Sequence, residues 1–224
     1  SVAALAALHA APGLPDQGVV VLVDLGGSGS SITLADAGAN LNAVGPTVRY
    51  PEFSGDAIDQ ALLDHVLAGV ADANKVDPAG TAAVGPLARL RDECRMAKER
   101  LSAETATVLP AELPGFRSDV RLTRPELEQL ISEPFAGLVN AIEDLLQRNG
   151  IPIANVSAVA TVGGGAAIPL VTQRLSERLR APVVTTPESQ LNVAAGAALV
   201  ANQSLAADAP TGMAPAADSP TAMG

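Results

Sequence analysis

Two short apolar runs in this chain end in glycine clusters, and the pair restricts the fold more than any other feature of the sequence. Val19 to Val23 leads into Asp24-Leu25-Gly26-Gly27-Ser28-Gly29, and Val156 to Val162 leads into Gly163-Gly164-Gly165. A short continuous apolar run closed by glycines reads as a buried central strand followed by a tight turn. Glycines without Cβ let consecutive backbone N–H groups come close to phosphate oxygens and point at them. A carboxylate at the strand end, Asp24, can hold a magnesium ion through its water shell, because that ion keeps several waters. The second turn is followed by a helical pattern from Ile168, the arrangement that places an anion or nucleotide at a helix N-terminus. Gly-Ser-Gly also closes ordinary hairpins, and either turn alone reads as one; two of them, each closing a core strand, set the constraint.

Around these turns the pattern predicts an α/β chain. Ser31 to Leu34 and Leu41 to Val48 supply two more strands, joined by short Gly- and Asn-containing connectors that suit an antiparallel meander. Ala57 to Val70 and Pro86 to Ser102 carry apolar residues at helical spacing. Thr105 to Val120 holds short strand pieces broken by Pro110 and Pro114. Thr123 is placed as an N-cap with Pro125 and Glu126 behind it, opening a helix that stops at Asn149-Gly150. Pro182 to Thr186 reads as a brief strand and Ser189 to Ala201 as the last helix. Beyond Asn202 the composition turns to Ala, Pro, Asp, Ser, Thr and Gly, which cannot bury enough surface to offset ordering entropy.

Charge and composition exclude some functions. The chain has 14 Lys and Arg against 24 Asp and Glu, a formal net charge of −10. That balance argues against nucleic-acid or anionic-membrane partners, which need clustered cations. With 48% apolar but only 2% aromatic residues, the core is expected to be thin layers of Ala, Val, Leu and Ile. Cys94 is the single cysteine, so no intrachain disulfide forms and a cytoplasmic setting is the simplest reading. No apolar run is long enough to span a bilayer. The opening Ser1-Val-Ala-Ala-Leu-Ala-Ala-Leu lacks a basic n-region and reads as the middle of a helix, not a signal peptide. It is a near copy of Asn192-Val-Ala-Ala-Gly-Ala-Ala-Leu, as expected for a fragment with the end of one lobe and the whole of the next.

With residues 54–130 set aside, the element order is three strands, helix, strand, helix, strand, helix. That order matches a ribonuclease-H-like unit: core at 1–53 and 131–203, an inserted α+β subdomain at 54–130, and a disordered Ala/Pro-rich tail at 204–224. Asp24 to Gly29 resembles the second phosphate loop of the DnaK-like heat shock protein 70 family, within the actin-type ATPases. Gly163 to Pro169 resembles that family's adenosine loop. Ser54-Gly55-Asp56-Ala-Ile-Asp59 resembles the start of its inserted subdomain, Cys94-Arg-Met-Ala-Lys98-Glu-Arg-Leu-Ser102 the helix over the adenosine, and Leu122 to Glu128 the entry to the following helix. Order and spacing hold from Ser1 to about Ala201.

The resemblance implies the second lobe of a chaperone-type ATP-binding domain. In the full-length parent it implies ATP or ADP with magnesium, and no ligand tightly held by this piece alone. Gly26, Gly27 and Ser28 would face the β- and γ-phosphates, and Asp24 would position magnesium-bound or attacking water. Lys98 and Ser102 would reach the ribose and adenine. Gly163, Gly164, Gly165 and Ile168 would floor the adenosine, with Glu188 beside the base. The implied partners are the first lobe and an exchange factor or other protein on the inserted subdomain. Hydrolysis would need both lobes, so this lobe alone is expected to be inactive.

The sequence departs from the family at several of these positions. Glu99 and Ala167 stand where arginines usually sandwich the adenine, and Arg95 stands for a usual glutamate. On helical spacing Arg95 and Arg100 are expected to face away from the base. Ser28, Ser31 and Gly165 are further departures. These favour a second reading, a nucleotide-degenerate interaction module on the same fold; a sugar- or acetate-kinase-like lobe is a third. His9 and His65 lack metal-spaced partners, Cys94 reads as a small core residue, and Asp56 and Asp59 as capping and solvated groups.

Overall fold

The computed structural model describes residues 14–74 and 84–185. The predicted helix at 189–201, its near copy at the start of the chain, Glu188 and the tail at 204–224 lie outside the described residues. Within them the fold is mixed α/β.

Strand β1 (Val19–Leu25) occupies the middle of the main sheet, as its unbroken apolar run requires. On one side it pairs antiparallel with β2 (Ser30–Asp36), from Val19 opposite Asp36 to Leu25 opposite Ser30. On the other it pairs parallel with β7 (Val156–Val162), which in turn pairs parallel with β8 (Val183–Thr185). The stretch expected as one strand over Leu41 to Val48 is two: β3 (Asn42–Ala43) and β4 (Val48–Tyr50), both against β2. Gly45, at φ +77°, and Pro46 break the run between them. A proline has no N–H for the ladder, and a left-handed glycine turns the strand out of register.

Side chains alternate across the sheet. Val21, Val23, Ile32, Leu34 and Val159 belong to a large apolar cluster, while Val20, Leu22, Ala35, Ala158, Ala160 and Val162 form a separate one on the opposite face. The large cluster continues without a gap into the helices α1 (Gly55–Asn74), α2 (Val84–Ala103), α3 (Arg124–Arg148) and α4 (Pro169–Leu179). Phe53 and Phe135, two of the three phenylalanines, meet inside it with ring centroids 5.0 Å apart at 57°. Gly137 lies so close under the Tyr50 hydroxyl that any Cβ would collide with it, which lets β4 settle against α3.

Pro110 does not break its strand, contrary to the sequence expectation. It lies inside β5 (Ala106–Leu113), which forms a two-stranded hairpin with β6 (Phe116–Thr123) through a turn at Pro114-Gly115. In a two-stranded ribbon each strand has an unpaired edge, so a missing N–H need not cost a ladder bond.

Thr123 caps α3 as the sequence predicts. Its Oγ1 accepts from the Glu126 N–H at 3.4 Å, and the Glu126 carboxylate accepts from the Thr123 N–H at 2.8 Å and hydroxyl at 2.6 Å. The Thr123 hydroxyl, followed by its N–H, holds the Glu126 pKa below the usual carboxylate range. A depressed folded-state pKa adds stability that is present above the unfolded value, about 4.3, and is lost as pH falls through the folded one. Thr123→Ala should lower stability by about 1 kcal/mol at neutral pH. In urea titrations at pH 7 and pH 3 the gap from wild type should shrink at the lower pH; an unchanged gap would assign no role to the carboxylate.

Candidate functional site

Because β1 and β7 run parallel and adjacent, their C-terminal ends emerge at the same edge of the sheet. Asp24 stands opposite Val162, so the two glycine turns that follow lie side by side. Their contact is close. Gly163 has φ +86° and ψ 169°, and a Cβ there would fall 2.5 Å from the Leu25 carbonyl oxygen and 3.1 Å from Asp24 Oδ1. Gly165 meets the Leu25 side chain, where a Cβ would come within 2.9 Å. After Gly163 the chain makes one 3-10 turn, Gly164–Ala167, and enters α4 at Pro169.

The first turn is tied to the start of α1 rather than to solvent. Gly26 N–H donates to Gly29 O at 3.2 Å, closing the turn on itself. The Gly26 and Gly27 carbonyls accept from the backbone N–H groups of Gly55 at 3.0 Å and Asp56 at 2.8 Å. The first turn of α1 is thus docked on the Gly26-Gly27 turn. Ser54 caps α1, its Oγ accepting from Ala57 N–H at 3.1 Å; the capping role expected of Asp56 and Asp59 falls to this serine.

A cleft of about 450 Å³ opens where these pieces meet. Asp24, Gly26 and Gly27 line it from the first turn, and Gly163, Gly164, Gly165 and Ile168 from the second. Lys98 and Ser102 line it from α2. These are all of the predicted site residues but two. Ser28 is absent from the lining; its carbonyl and hydroxyl oxygens each lie 3.2 Å from the Arg49 guanidinium, which donates to them. Glu188 falls outside the described residues.

Three residues in or near the cleft escape the sequence reading. Asp59, expected to be solvated, is buried and lies 2.7 Å from the Lys98 ammonium. The signal was its position on the apolar side of α1, three residues before Leu62 and seven before Val66. Arg95, expected to face elsewhere, lines the cleft beside Glu99, to which its Nε lies 3.4 Å distant. Arg100 does turn away, donating to Val108 O at 3.4 Å. Arg49 carries no local sign of its place beside the first turn.

Other candidates are quiet. Burial, followed by the nearby Asp59 and Glu93 charges, pushes the Cys94 thiol up to about 12, so it stays protonated and unreactive at ordinary pH. His65 is exposed and His9 lies outside the described residues. No group of three or more His, Cys, Asp and Glu among the described residues could hold a metal ion. Asp24 is a single carboxylate on the cleft wall at the end of β1. No helix among the described residues is long and apolar enough to cross a membrane. A second hollow, about 470 Å³ between α3 and α4, is lined by Phe135, Leu170, Arg174 and Arg178 and includes neither glycine turn.

A family model described as Hsp70 protein matches residues 3–208. The chain is 30% identical over 160 residues to a heat shock protein of the SSB type from Pyricularia oryzae, covering 70% of this chain and 26% of that one. It is 28% identical over 164 residues to a heat shock cognate HSP70 protein of Trypanosoma brucei brucei, covering 72% and 24%. A ribosome-associated molecular chaperone, also of the SSB type, from Zygosaccharomyces rouxii is 28% identical over 160 residues, covering 70% and 26%. The match spans about a quarter of the length of these curated relatives.

Proposed function

Because the chain belongs to the Hsp70 protein family, we propose that it is the second lobe of a chaperone-type ATP-binding domain, with a ribonuclease-H-like core and an inserted subdomain. It would supply phosphate and adenosine contacts to a site between two lobes, with ATP or ADP and magnesium as ligands in the parent. The observation that carries this reading is Gly27. A Cβ built there would meet nothing within 4 Å, and its φ is outside the left-handed range that demands glycine. The fold has room for a side chain at this point in the cleft. A ligand brought against the backbone does not.

In this reading the Gly26-Gly27 turn abuts the β- and γ-phosphates, and Asp24 orients water or hydrated magnesium at the end of β1. Lys98 and Ser102 approach from α2, while Gly163, Gly164 and Ile168 floor the nucleoside. ATP and its magnesium, when bound, supply the transferable phosphoryl group and the counter-charge for it. The chain's own contribution is positioning and charge, half of what such a site needs. The first lobe is thus a required partner, the parent is cytoplasmic, and the inserted subdomain is the surface for an exchange factor.

With one side of the phosphates left in water, this chain alone should bind ATP with a Kd of roughly millimolar or weaker, about −4 kcal/mol. Titration of the two-lobed parent with ATP, ADP and sugars tests the proposal. Tight, sugar-independent ATP binding is the expected result, and binding of a sugar instead would point to the kinase-like alternative. Failure to bind any of them would favour the interaction module, which Glu99 in the cleft and Ala167 beside it support.

The base end carries its own prediction. With Glu99 and Ala167 in place of arginines, Arg95 is the guanidinium that the cleft offers to a ring face. Arg95→Gln should weaken ATP binding by about threefold, the size of an exposed cation–π contact, and leave tripolyphosphate binding unchanged. Equal loss for both ligands would mean that Arg95 acts on the phosphates as a charge.

A further inference from the structure

Glycine has the widest backbone freedom of any residue, so a glycine-rich turn keeps one shape only where other groups fix its peptides. In the first turn three successive carbonyls are fixed in this way. Two are held by the start of α1: Gly55 N–H donates to Gly26 O at 3.0 Å and Asp56 N–H to Gly27 O at 2.8 Å. The third is held by a side chain. Arg49 Nη2 donates to Ser28 O at 3.2 Å and to Ser28 Oγ at 3.2 Å, one bond for each hydrogen on that nitrogen.

Arg49 reaches the turn from a fixed base. It stands opposite Ser31 in the pairing of β4 with β2, just beyond the end of the turn. Its neighbour Tyr50 pairs with Ser30 and is seated against Gly137 of α3. Gly29 leaves room for the guanidinium: a Cβ there would lie 3.0 Å from Nη2 and 3.3 Å from Nε and Cζ. Among the described residues Arg49 forms no ion pair, so no carboxylate draws it away from Ser28. None of the described peptides is cis, and in a planar trans peptide the N–H points opposite to the C=O. Fixing Ser28 O therefore fixes the direction of the Gly29 N–H and the path of the chain as it leaves Gly27. The N–H groups of Gly27, Ser28 and Gly29 meet no acceptor among the described residues, so a ligand can take them without breaking a bond of the fold.

We propose that Arg49 is a positioning residue for the phosphate end of the cleft: it locks the Ser28–Gly29 peptide, so that a ligand meets Gly27 in one prepared conformation. This rests on the nucleotide reading above. The benefit is preorganisation, since a loop that is already ordered loses less freedom on binding. Gly26 and Gly27 line the cleft, whereas Ser28 and Arg49 do not. Arg49 touches no ligand; it acts through Ser28.

Two substitutions separate position from charge. Arg49→Met removes the donors and keeps an unbranched stem, while Arg49→Lys keeps the charge on an ammonium that ends one bond short of Nη2. In the ligand-free chain the Gly29 amide should have an NMR order parameter of about 0.85, falling below about 0.6 in both variants. In the two-lobed parent both should bind tripolyphosphate about fivefold more weakly, the entropy of fixing roughly one residue's backbone again. Arg49 is exposed, so the urea midpoint should hardly move.

A Gly29 amide that is loose in the wild type, or as rigid in Arg49→Met as in the wild type, would overturn the proposal. So would an Arg49→Lys parent that binds as tightly as wild type with its Gly29 amide loose, for then the charge acts on the phosphates directly. If the wild-type parent binds tripolyphosphate and Arg49→Met binds it equally well, this inference falls while the nucleotide site stands. If the wild-type parent binds neither tripolyphosphate nor ATP, both fall together.

Discussion

Gly163→Ala should lower the stability of the folded chain by about 4 kcal/mol or more, a large part of the roughly 5–15 kcal/mol that holds a typical domain together. Two independent costs add here. At φ +86° and ψ 169°, Gly163 occupies a backbone region that is essentially closed to residues with a Cβ. Forcing one in costs about 1–3 kcal/mol before any contact is counted. The new Cβ would then lie 2.5 Å from the Leu25 oxygen and 2.8 Å from its carbonyl carbon. Both are backbone atoms at the end of β1, so no side chain can swing aside. Relief requires the ends of β1 and β7 to part where Asp24 pairs with Val162. Urea denaturation followed by circular dichroism measures the loss. Gly69→Ala is the control: it lies on the exposed face of α1 with nothing within 4 Å of an added Cβ, and should raise stability by roughly 0.5–1 kcal/mol. A Gly163→Ala protein as stable as wild type would show that the two turns are not held in the contact described.

The same geometry explains what could be read from the residues in advance. Features encoded locally were legible: the apolar run that makes β1, the glycines that stop it, and the reciprocal cap of Thr123 and Glu126. Each depends on neighbours a few positions away. What was not legible depended on partners far along the chain. The break between β3 and β4 needs Gly45 and Pro46 to be weighed against a strand-like composition. Pro110 is compatible with β5 only because the hairpin leaves an edge free. Lys98 and Ser102 could be named from the resemblance of their helix, whereas Asp59 in the cleft and Arg49 beside the first turn make contacts 39 and 21 residues away in sequence, with Lys98 and Ser28. Asp59 did carry a local sign, a carboxylate on an apolar helix face. The inverted charges at Arg95 and Glu99 were visible as letters, but the side of the helix that faces the cleft was not. Whether residues 54–130 form a separable subdomain rests on element order; the apolar cluster itself is continuous from the sheet into α1, α2 and the hairpin.

Gly27→Val should leave the fold untouched and remove nucleotide binding, and the difference between those outcomes gives the substitution its weight. At Gly163 glycine is demanded by the protein itself, so its replacement reports only on folding. At Gly27 the fold makes no such demand, since an added Cβ would meet nothing within 4 Å and φ lies outside the left-handed region. The urea midpoint should therefore stay within about 0.5 kcal/mol of wild type, the usual range for a surface substitution. The two branched methyls would nevertheless occupy the cleft at the turn proposed to abut the phosphates. A phosphate oxygen needs to come within about 3 Å of a backbone nitrogen to bond it, and a valine side chain occupies that volume. In the isolated chain, ATP-dependent NMR shifts should disappear. In the two-lobed parent, binding should fall by about a hundredfold or more, about 2.7 kcal/mol at the least. Gly26→Val is the weaker test, because its Cβ would already press on Gly29 O at 3.0 Å and could disturb the turn without any ligand. A Gly27→Val parent that is folded and binds ATP as tightly as wild type would place the phosphates elsewhere in the cleft. A wild-type parent that binds no nucleotide would leave Gly27 unexplained and hand the chain to the partner-binding reading.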